Sequence, residues 1–74
     1  MSAKVRNVRD YLEELEKTKA DRPEQVREGL DIYIDLWRRA IQGGVFEESD
    51  SVDEALRKID SRGGLYKAAG IQSD

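Results

Sequence analysis

Seventy-four residues, with 13 Lys and Arg against 16 Asp and Glu and a net charge of −3, make one small domain near the lower size limit for a self-sufficient core. The chain has no Cys and no His, which excludes disulfides and thiol redox chemistry and removes the commonest metal ligand and acid–base group. Charged residues are 39% of the chain, with mixed signs, as on a solvated globular surface rather than a disordered acidic tail.

No apolar run approaches the ~20 residues that span a bilayer. The opening "MSAKVRNVRD" lacks the apolar stretch of a secretory signal. The expectation is a cytoplasmic protein without a membrane partner, folded as a single domain over residues 1–74 with frayed ends at 1–3 and 70–74.

A first helix is expected from about Ala3 to Thr18. Val5, Val8, Leu12 and Leu15 recur at spacings of 3, 4 and 3, a narrow heptad seam that Tyr11 widens slightly. The seam lasts two heptads, too short for a free-standing coiled coil, so a helical hairpin is expected instead. "TKADRPEQ" then reads as a turn and a helix start: Asp21 as N-cap, Glu24 three residues on as in a capping box, and Pro23 in the first turn.

The second helix is expected from about Arg22 to Gln42. Within it, "LDIYIDLW" alternates like a strand when read in twos. At ~100° per residue, however, Val26, Leu30, Tyr33, Ile34, Trp37, Ala40 and Ile41 fall on one side, and Glu24, Glu28, Asp31, Asp35, Arg38, Arg39 and Gln42 on the other. Ile32 and Leu36 lie beyond the main stripe and widen the apolar arc to roughly 200°, against the ~100° usual for a surface helix. A single antiparallel neighbour does not cover such an arc, so this helix is expected to be central.

Gly43 and Gly44 supply a left-handed C-cap. Val45 and Phe46 of the connector are expected to fold back onto the core. Ser51 and Glu54 form a second capping box, opening a third helix whose apolar face is Val52, Ala55, Leu56 and Ile59. "SRGG" ends it, and "LYKAAG" is expected to add a last helical turn anchored by Leu65 and Tyr66. The expected class is all-α: an antiparallel helical hairpin plus a shorter third helix and a C-terminal helical turn, three-helix-bundle-like, with room to complete its core as a dimer.

Few residues suggest chemistry. Glu47, Glu48, Asp50, Asp53 and Glu54 form an acidic run, but without the alternating ligands, central Gly and terminal Glu of a calcium loop. It reads better as carboxylates complementing a helix N-terminus. The carboxylate pairs Glu13 with Glu14 and Asp31 with Asp35 fall on solvated faces, where general acid–base catalysis finds no dry cleft. Ser49, Ser51 and Ser61 lack a base. "RGGLYKAAG" misses the phosphate-loop pattern, since Tyr66 precedes Lys67 and Ala68 follows it. The expectation is no cofactor, no metal and no enzymatic activity.

Two sets of residues are candidates for binding. Leu30, Ile32, Tyr33, Ile34, Leu36 and Trp37 line the broad apolar arc, and aromatics dominate interface energetics. They suggest a small interaction module that associates with itself as a dimer or with another helical protein. Lys4, Arg6 and Arg9 crowd the expected start of helix one, where positive charge opposes the macrodipole. They suggest an alternative: a nucleic-acid accessory or antitoxin-like regulator with a basic N-terminal arm. A second reading of this end makes Asn7 the N-cap, with Asp10 three residues on. A third hypothesis is a monomeric adaptor in which helix three and "LYKAAG" cover the flanks of helix two.

Overall fold

In the computed structural model, which describes residues 5–71, the chain turns helical at Asn7. Asn7 is extended (φ −146°, ψ 179°) and its side chain accepts the backbone N–H of Asp10 at 2.9 Å. The N–H groups of Val8 and Arg9, unsatisfied at any helix start, donate to the backbone carbonyls of Asp50 (2.8 Å) and Glu48 (3.1 Å) in the connector. Helix α1 therefore runs Val8–Ala20; residues 5–7 ahead of it are not helical, and Ala3, the expected start, lies outside the described residues. Val5 precedes it and is exposed, so the apolar seam of α1 begins at Val8.

Asp21 closes α1 instead of opening the next helix: its backbone N–H donates to the Thr18 carbonyl at 3.2 Å, and that of Arg22 to the Lys19 carbonyl at 3.1 Å. Pro23 takes the N-cap position of α2 with no side-chain cap. Its ψ of 160° turns the chain sharply enough to start the second helix at Glu24. Helix α2 spans Glu24–Gln42 and packs antiparallel to α1 as a hairpin.

Gly44 ends α2 at a φ of +77°, a conformation that costs glycine nothing. The N–H of Val45 reaches the Ala40 carbonyl and that of Gly44 the Ile41 carbonyl, both at 3.0 Å, the two bonds of a Schellman cap. The same pair of bonds closes α3 (Val52–Ser61) through Gly63 and Gly64, and the short α4 (Leu65–Ala68) through Gly70 and Ile71. Helix α3 opens at the expected cap, with Ser51 Oγ accepting the Glu54 N–H at 3.1 Å. No strand occurs among the described residues.

The four helices close a ring. Helix α2 packs between α1 and α4, and α3 packs against α1 and α4. The core inside is Val8 and Leu12 from α1, Ile34, Trp37 and Ala40 from α2, Phe46 from the connector, Ala55 and Ile59 from α3, and Ala68 from α4. Phe46 folds back as expected. Leu65 packs against the core, but Tyr66, the other expected anchor, is 59% exposed, and Ala68 is buried in its place.

All these covering elements gather over the second half of α2. Every residue from Asp21 to Gly29 is exposed, so the turn and the start of α2 project beyond the body. The radius of gyration, 12.6 Å, accordingly exceeds the about 11 Å of a compact chain of this length.

Candidate functional site

The broad apolar arc of α2 is divided between the core and the solvent. Ile34, Leu36 and Trp37 are buried within the chain, Leu30 and Tyr33 are half-buried, and Ile32 is 58% exposed. The six interface candidates therefore do not form one surface. Leu36 is only 4% exposed and lies outside the main core cluster. What remains open of the arc is Ile32; Val26, 46% exposed, is also open on the first half of α2 but points to a different side of the helix.

Gly29 sits three residues before Ile32 on adjoining positions of the helix surface. It is helical rather than left-handed, and a Cβ added there would meet nothing within 4 Å. The chain's own packing gives no reason for glycine at this point.

Trp37 is the centre of the body. Its indole makes edge-on contacts with Tyr11 (centroids 5.1 Å apart), Phe46 (5.2 Å) and Tyr33 (6.2 Å), the T-shaped geometry that aromatic quadrupoles favour. Its Nε1 is buried with no hydrogen-bond partner among the described residues. The Tyr11 and Tyr33 hydroxyls bond to each other at 3.0 Å. Burial first, and then this bond to Tyr33, push the Tyr11 phenol well above its ordinary range. These aromatics serve the fold.

The N-terminal cations are dispersed. Lys4 lies outside the described residues. Arg6 is exposed ahead of α1, and its backbone N–H donates to Asp10 at 3.3 Å. Arg9 pairs with Glu13, one turn on, at 3.4 Å. The first-turn N–H groups of α1 are all taken: Val8 and Arg9 by the connector, Asp10 by the Asn7 side chain, Tyr11 by the Asn7 carbonyl. The helix end that could have held an anion is closed by the chain itself.

That closure depends on Asp50. Its carbonyl receives Val8, and its carboxylate accepts the Glu47 N–H at 3.0 Å and the Lys58 ammonium at 2.8 Å. The Lys58 hydrogen bond first, and then the Glu47 N–H, hold the Asp50 carboxyl below the ordinary aspartate value; the same bond raises Lys58. The acidic connector is thus a fastening between α1 and α3.

An open groove of about 540 Å³ runs along α1 and the end of α2, with Leu12 and Ile41 among the residues lining it. Its sides carry the Arg9–Glu13 pair and an Arg38–Glu16 pair at 3.3 Å. Lys19 binds the same Glu16 at 2.8 Å and Asp31 of α2 at 2.6 Å. Hydrogen bonding from Lys19, with the charges of Lys19 and Arg38 behind it, lowers the Glu16 carboxyl; bonding to Asp31 and then Glu16 raises Lys19. Only the pairing of α1 with α2 brings these positions together, so no local signal announces the groove.

The shifts of Glu16, Asp50, Lys19 and Lys58 all favour the charged form. They hold these groups ionised at neutral pH instead of poising one to exchange a proton. Among the described residues no group of three or more Asp or Glu is placed to hold a metal ion, and no helix is long and apolar enough to cross a membrane. Compared with known proteins, the chain matches no family model, no curated protein and no solved structure.

Proposed function

We propose that this protein is a small non-catalytic helical interaction module that associates with a second copy of itself through the exposed flank of α2. The observation that carries the reading is Ile32, a large aliphatic side chain 58% exposed on a helix whose other large apolar residues are mostly turned inward. Val26 is a second exposed aliphatic residue of the projecting half of α2, about a third of a turn around the helix from Ile32. Gly29 adds support: a mid-helix glycine lowers helix stability, and here no internal contact requires it, whereas a close-packed partner would. The charge-balanced groove and the paired Arg9 give the nucleic-acid reading no comparable support.

Light scattering over a wide concentration range tests the proposal, with Ile32→Lys as the variant. The expected result is a mass that rises from that of one chain, 8.5 kDa, toward twice that value, and a lysine variant that stays at one chain while keeping its helical content. A wild-type mass of one chain at every concentration overturns self-association. Leu36→Lys is unsuitable for this purpose, because burying an unpaired ammonium would unfold the chain whatever its partners.

A further inference from the structure

We draw no further inference here: the strongest candidate, the exposed seam of Gly29 and Ile32 on the projecting half of α2, belongs to the surface already proposed for self-association, and nothing in the structure shows how a partner would be seated on it.

Discussion

The two halves of the α1–α2 hairpin are built from the same pair of helices yet held together by different forces. At the end near Asn7 and Gln42, the connector, α3 and α4 close over the hairpin, and Trp37 sits among three other rings. At the end near Asp21 no further element arrives among the described residues, and the helices are tied by Lys19 bridging Glu16 and Asp31. Hydrophobic burial stabilises in proportion to area removed from water, whereas exposed ion pairs contribute little. The hairpin should therefore be firm at one end and loose at the other.

The most severe way to break that contrast is to empty the body. Trp37→Ala removes the largest buried side chain and should cost about 3–5 kcal/mol, most of the stability available to a chain of this size. Thermal melting followed by circular dichroism should show no cooperative transition. Val26→Ala, at the projecting end, should fall within about 0.5 kcal/mol of wild type. Similar losses from the two variants would mean that the exposed half of α2 is buried in solution, which would itself favour association.

A second test acts on the fastening of the body. Asp50 has its acidity strengthened in the fold by Lys58 and the Glu47 N–H. A carboxylate with a depressed folded-state value contributes stability above its unfolded value, about 3.9, and loses it as pH falls through the lower folded value. Denaturant midpoints should thus drop as pH falls below about 4 in wild type, and Asp50→Asn should flatten that acid limb of the profile. Lys58 is the other half of the same pair; its raised value predicts a loss only above its ordinary range, near pH 10.4 or higher. An unaltered acid limb in Asp50→Asn would dismiss this carboxylate as the clasp.

The contrast between the two ends also marks what could be read from the residues in order. Periodicity gave the hairpin and α3, and local chemistry gave the Ser51 cap, the Asn7 alternative and the glycine stops, because each of these depends on neighbours a few positions apart. Asp21 deceived for the same local reason: a short acidic side chain before Pro23 suits an N-cap, yet the backbone of that residue was already engaged in closing α1. The carbonyls of Glu48 and Asp50 capping Val8 and Arg9 involve residues about forty positions apart in sequence, and backbone acceptors leave no trace in residue type. The division of the broad arc was hidden similarly. Its width was visible, but Leu36, buried, could be separated from exposed Ile32 only by knowing the tertiary packing around α2.

Gly29 sharpens the contrast in the opposite direction, by strengthening the loose end. Alanine there meets nothing within 4 Å and should add about 0.8–1 kcal/mol through helix propensity alone, read as a higher denaturant midpoint at dilute protein. If Gly29 lies against a second copy, the same substitution should weaken association in light scattering. A raised midpoint with undiminished association would move the contact away from this face. No gain at all would mean that the chain's own fold uses the glycine.

The smallest effect belongs to the tie across the loose end. Lys19→Met keeps the aliphatic stem but releases Glu16 and Asp31 together, leaving Arg38 as the remaining partner of Glu16. All of these groups are solvent-accessible, so global melting should scarcely move. Amide exchange is the suitable measurement, because local opening can change without global unfolding. Protection should fall around residues 16–31 and hold near Trp37. The difference between variant and wild type should shrink in about 1 M salt, where charges are screened within about 3 Å. A loss that spread equally to Trp37 would show the hairpin opening as one unit, with its two ends no longer separable in stability.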